Sequence, residues 1–184
     1  QPFVVENRAA AAGTIGSGAV ARAEPDGYTL VVSGIGSHVV APLLNDVGFD
    51  PISDFTHIAF LGGPPTVLVV HPNQPYKNID EFVAYARAHP SSISWGSPGQ
   101  GTHGSMIGEA FSAAAKIKMV AVNYKGGNPA MTDLLAGHIP SAFMSFGTAT
   151  PYIRSGKLRG LAITSTQRAA GFPDLPTFTE LRYP

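Results

Sequence analysis

The chain has 184 residues, 44% hydrophobic and 13% charged, with twelve Lys and Arg against twelve Asp and Glu and no cysteine. Such a chain buries a sizeable core as one ordinary domain or two small ones, and its composition is neither that of a disordered protein nor that of a membrane-spanning one. A neutral balance supplies no field to gather nucleic acid or an anionic bilayer, and without cysteine there is no disulfide framework and no cysteine nucleophile.

In chain order, the β-branched run "FVVE" (3–6) predicts a strand, although the opening "QPFVVENR" reads like the middle of a fold and carries no signal peptide. "GTIGSGAVARA" (13–23) predicts a helix with glycines spaced for close packing, and "SHVVAPLL" (37–44) a second one. Between and after them, "YTLVVS" (28–33), "HIAFL" (57–61) and "TVLVV" (66–70) predict strands. From Ile79 to Ala88 the spacing predicts a helix: Asn78 offers an N-cap oxygen, Glu81 sits at the capping-box position, Ile79, Phe82, Val83 and Ala86 share a face, and His89-Pro90 ends it. A strand around Ile93 to Trp95 leads to a helix from Thr102 or His103, with Met106, Ile107, Ala110, Phe111 and Ala114 as its expected buried stripe. Met119 to Val122 is the next strand, followed by a helix from Asn128-Pro129 to Gly137, a strand over Pro140 to Met144, and the closing run "KLRGLAITS" (157–165). The tail from Gln167 to Pro184 is proline-rich, and no apolar run approaches the roughly 20 residues of a spanning helix.

Alternation of strand and helix predicts a parallel sheet covered on both faces. Residues 72–158 form a self-contained β-α unit, expected to be inserted into an outer domain made of 1–71 and 159–184 through two crossing strands that act as a hinge. The outer piece, with few elements of its own, is expected to be incomplete.

One loop carries the chemistry. "WGSPGQGTHGSM" (95–106) places Gly99, Gly101 and Gly104 as G-x-G-x-x-G between a strand and a helix, where free N–H groups and the positive end of the helix dipole converge into an anion site. A dinucleotide would need an acid about 20 residues on, at the end of the next strand, where "VAVNYKGG" supplies Asn123 and Lys125 instead. That reading, a nucleotide-binding oxidoreductase fragment using Gly99 to Gly104, is the alternative function. A serine nucleophile at Ser97 lacks the backbone donor that the following residue should give, since Pro98 has no N–H. The histidines, at 38, 57, 71, 89, 103 and 138, never stand three to five apart, so no metal site is expected, and no Walker motif is present. Two readings remain: a seat for a small carboxylate built from Ser97, Thr102 and the amides of Gly99 to His103, or a tight turn whose glycines satisfy geometry while Thr102 caps its helix. Trp95 reads as core packing under the following helix, and Lys125 as a solvated turn residue.

Read in order, "FVVENR", "AGTIGSGAVARAEPDGYTLVVS", "FDPISDFTHIAFLG", "VLVVHP", "WGSPGQGTHGSM", "VNYKGGNPAMTDLLAGHI", "GKLRGLAIT" and "FPDLPTFTEL" strongly resemble the solute-binding proteins of tripartite tricarboxylate transporters, the Bug-type periplasmic receptors. The resemblance implies an α/β fold like that of type II periplasmic binding proteins, with two parallel-sheet lobes, a two-strand hinge and the outer lobe incomplete here. It implies a periplasmic receptor, not an enzyme, that captures a small carboxylate between its lobes for membrane transporter subunits, without a cofactor, nucleic acid or direct membrane insertion. Family members carry a signal peptide and further chain on both sides of the matching stretch. Carried over by motif, Ser97, Gly99, Gly101, Thr102 and His103 hold the carboxylate from the inserted lobe, Ser33, Ser37 and His38 face it from the outer lobe, and Ser145, Phe146 and Thr148 follow another inserted-lobe strand. Many relatives place an aspartate near Met144, where it could pair an ammonium; methionine implies a ligand without one.

Overall fold

The regular elements of residues 2–8 and 11–183, the part of the chain this computed structural model describes, are five strands and six α-helices. Helix α1 (Thr14–Ala21) comes first, and a π-type turn over Gly36–Val40 runs into the short α2 (Ala41–Leu44). Then follow β1 (Thr66–Val70), α3 (Ile79–Ala88), β2 (Ser94–Ser97), α4 (His103–Ala115), β3 (Val120–Asn123), α5 (Gly127–Leu135), β4 (Ser141–Ser145), α6 (Phe146–Arg154) and β5 (Arg159–Ile163).

Helix α3 forms where the pattern predicts. Asn78 Oδ1 accepts from Glu81 N at 2.9 Å, while Glu81 Oε2 turns back to accept from Lys77 N at 2.7 Å, so one amide of the first turn and the amide before the cap are satisfied. Its face of Ile79, Phe82, Val83 and Ala86 is buried.

The five strands make one sheet in the order β3-β2-β4-β1-β5. Strands β2, β3 and β4 are mutually parallel where they pair, but β1 runs antiparallel to both neighbours, β4 and β5. The sheet is therefore mixed, a correction to the parallel arrangement expected from the alternation of elements: the segment from Val70 to Ser94 starts and finishes at the same edge, and periodicity carries no information on strand direction. Both β1 and β5 belong to this sheet and lie together on one side of β4.

All five residues of β1 are buried, and its two faces feed two cores. Leu68 and Val70 pack with Phe143, the buried face of α3, Phe111 of α4 and Phe178 of the tail. Val67 and Val69 pack with Met144, Ala130, Met131 and Leu134 of α5, Ala149 of α6 and Leu175. The result is three layers, each burial of a large aliphatic or aromatic side chain contributing about 1.5–3 kcal/mol. On α4 the buried face is Gly104, Ser105, Gly108, Phe111 and Ala115, rotated from the stripe predicted at 106, 107, 110, 111 and 114. Glycine sets that face, since a Cβ at Gly108 would lie 2.4 Å from Trp95 Cη2 and one at Gly104 would lie 2.9 Å from the Phe143 carbonyl. Trp95, 1% exposed and edge-on to Phe143 at 5.3 Å, is core as expected.

The first 65 residues differ. The runs 3–6, 28–33 and 57–61, expected as strands, form no strand and pair with no other segment among the described residues. Their side chains stay in solvent: Val4 and Phe60 are each 93% exposed. A ladder needs a neighbouring strand, and these runs have none beside them, so high strand propensity alone leaves them unpaired.

Candidate functional site

Strands β2, β3 and β4 end at one edge of the sheet, and α4, α5 and α6 begin there. In open α/β sheets ligands bind in the crevice outside the carboxyl ends of the strands, and here each helix start adds unpaired amides and the positive end of its dipole. Thr66, the first residue of β1, lies at the same edge, in register with Ser145 at the end of β4. Its Oγ1 is 3.3 Å from His103 Nδ1, tying the start of α4 to the middle of the sheet.

The glycine loop is built around one carbonyl. Gly99 O accepts from Ser97 Oγ at 3.1 Å, from Thr102 Oγ1 at 2.7 Å and from Thr102 N at 3.2 Å. Ser97 Oγ also accepts from Gly99 N at 3.2 Å, and Thr102 Oγ1 caps α4 by accepting from Ser105 N at 3.4 Å. Both hydroxyls, expected as donors to a ligand, spend their protons on the loop itself, and Ser97 is fully buried. The backbone amides stand otherwise. Among the described residues none accepts a hydrogen bond from the N–H of Gln100, Gly101, His103 or Gly104. Gly99 (φ +138°) and Gly101 (φ +76°) adopt backbone angles that other residues rarely take, so glycine is what the shape of this loop requires. No Asp, Glu, Lys or Arg occurs from 94 to 108 or from 141 to 153, so these loops hold no carboxylate to compete with an anion and no lysine or arginine to pair with one.

Of the residues nominated from the first region, the structure brings the turn around Ser37 against this loop. A Cβ on Gly36 would meet Gly101 O and Ala12 O, both at 3.1 Å, and Gly101 lies against Val40. Ser37 is buried, its Oγ donating to Gly34 O at 3.3 Å and lying 3.1 Å from His38 Nδ1. The His38 ring turns toward Phe55 (4.7 Å between centroids), Phe49 (5.9 Å) and His57 (6.4 Å); burial, and secondarily the His57 charge, hold its pKa below the ordinary histidine value. Ser33 is exposed on the unpaired segment before that turn. Ser145 ends β4 at the site edge and Thr148 is exposed on the first turn of α6, whereas the partly buried Phe146 ring packs against Phe172 at 5.1 Å, alongside the second core. The amide of Phe146 donates to Pro65 O at 2.8 Å, joining α6 to the strand entering the sheet.

Sequence reasoning passed over Thr66, and it weighed the turn after β3 only for Tyr124 and for Lys125 as a solvated residue. Tyr124 N donates to Ser97 O and Gly126 N to Pro98 O, both at 2.9 Å, so the β2–β3 pairing continues into the glycine loop. Gly126 and Gly127, adjacent at the start of α5, were the available signal.

The sheet, with helix starts gathered along one edge and amides left over there, is similar to that of solved periplasmic binding proteins. One described as a periplasmic transporter matches at a TM-score of 0.96 and 36% identity, covering 100% of this chain and 62% of that one. An R. palustris protein solved with adipate matches at 0.91 and 29% identity over 99% of this chain and 61% of its own. Protein BugT of Bordetella pertussis is 33% identical over all of this chain, which spans 57% of that relative. The model of the tripartite tricarboxylate transporter family receptors matches residues 1–183, and the chain belongs to that family. Family membership and the absence of an acid at the end of β3 leave the dinucleotide reading of the three glycines without support.

Proposed function

We propose that the receptor of which this chain is a part binds a small carboxylate at the start of α4, between the lobe that carries that helix and an opposing lobe. It works in the periplasm, as a binding protein and not as an enzyme, and hands its ligand to membrane transporter subunits. The observation that carries this reading is the cluster of four amides, at Gln100, Gly101, His103 and Gly104, left without acceptors beside the strand ends and free of competing acids. Neutral directional donors at a helix start hold a carboxylate without a buried countercharge. Ser97 and Thr102 serve by shaping the loop around Gly99 O, while the turn at Ser37 and His38 supplies the opposing wall. Closure follows if only the closed arrangement lets both sides reach the ligand. An ammonium group would find no carboxylate in these loops, where Met144 is buried, so the ligand is a plain mono- or dicarboxylate. Adipate, bound by the R. palustris neighbour, is the first compound to try.

Calorimetry of the full-length receptor against linear mono- and dicarboxylates and amino acids tests this. Expected is binding of one or more plain carboxylates and weaker binding of their α-amino counterparts. The double change Ser97→Ala and Thr102→Val should weaken that binding by about 1–3 kcal/mol through a loosened loop. Silence toward every carboxylate sinks the proposal.

A further inference from the structure

The turn that follows β3 is held from two sides. Toward the sheet, its amides at Tyr124 and Gly126 bond the carbonyls of Ser97 and Pro98. It also walls Gly99, where a Cβ would sit 3.3 Å from Tyr124 O. Away from the sheet, the Tyr124 side chain reaches α5 and its hydroxyl donates to Asp133 Oδ2 at 2.7 Å. The other carboxylate oxygen, Oδ1, is 3.3 Å from His138 Nδ1, and the His138 amide bonds Asp133 O at 2.9 Å just past the helix end. A tyrosine hydroxyl donating to a carboxylate is a charge-assisted bond, stronger and more directional than a neutral one. The phenol is correspondingly reluctant to ionise, its pKa pushed up to about 12 by burial and then by Asp133.

We infer that Tyr124 and Asp133 brace the glycine loop: by fixing the 124–126 turn against α5, they set the position of Ser97 to Gly99 and hence the direction of the amides at the start of α4. Tyr124 is a positioning residue, acting on a ligand through the loop. The inference rests on the carboxylate reading of that loop, but its structural half does not. A bond that merely pinned α5 would lower stability everywhere alike. A brace has a local signature.

The test compares wild type, Tyr124→Phe, Asp133→Ala and Asp133→Asn in the full-length receptor. Tyr124→Phe keeps the ring and its packing, and Asp133→Asn keeps an accepting oxygen. Amide hydrogen exchange without ligand, read at the bonded amides of Gly99, Thr102 and Gly126, should rise about 3- to 10-fold in Tyr124→Phe and Asp133→Ala. Phe82 and His89 of α3 should not change. Adipate affinity should fall by a similar factor, with Asp133→Asn recovering most of both effects. Unchanged exchange at Gly99, Thr102 and Gly126, or an equal rise across α3, overturns the brace. A wild-type receptor blind to adipate and to the rest of the panel overturns the carboxylate reading instead, and the exchange comparison still decides the brace.

Discussion

Residues 2–65 and residues 66–183 are made from the same kind of material and meet opposite fates. "TVLVV" at 66–70 and "YTLVVS" at 28–33 are alike in composition, yet the first is buried on both faces between β4 and β5 while the second pairs with nothing among the described residues and is largely exposed. Of the exposed large hydrophobic side chains among the described residues, all but Val120 fall before residue 62. The contrast teaches that strand propensity is permission and that partners decide. It also separates stability from site-building, because the first region, without a sheet, still places the Ser37 turn against the glycine loop.

The comparison can be broken where it is strongest. Phe143→Ala, in the central strand β4 and fully buried, should cost about 3–5 kcal/mol, while Phe60→Ala, the same change on an exposed ring, should stay within about 0.5 kcal/mol. Denaturant melts of the two variants of this chain check it, and similar losses would mean that the first region has a core of its own. Next in size, Gly108→Ala puts a methyl 2.4 Å from a tryptophan ring that has nowhere to go; a cost of about 1–3 kcal/mol is expected, with perturbed tryptophan fluorescence. The smallest effect concerns pH. Folding lowers the His38 pKa, so the unfolded chain binds that proton more readily; the stabilisation tied to neutral His38 is complete above the ordinary histidine range and is lost as pH falls through the depressed value. A titration of the His38 ring signal should show a midpoint below that of a model peptide, and a normal midpoint would remove His38 from its aromatic cluster.

How much of this was legible in the residues follows the same division. Helix α3 was readable to its ends because its cap, its stripe and its stop lie within a dozen consecutive residues. Helix α6 was not, since Phe146, Gly147, two threonines and Pro151 give no helical stripe; its start is secured by Pro65, eighty-one positions earlier. The reversed direction of β1 left no trace in local pattern. The contact face of α4 was misread because hydropathy counts side chains, and Gly104 and Gly108 make contact by lacking them. For the site, the glycines marked the right loop, but which groups face outward was decided by Gly99 O, which draws in both hydroxyls and leaves the amides over. No spacing rule announces that competition.

The passage from the first region into the sheet consists of Gly62-Gly63 followed by Pro64-Pro65. Two prolines with fixed φ make a short rigid stalk, clamped at its base by the Phe146 amide, whereas the glycine pair above it is the freest joint a backbone offers. The glycine pair thus concentrates backbone freedom just outside the sheet, and the stalk fixes the direction in which the chain enters β1.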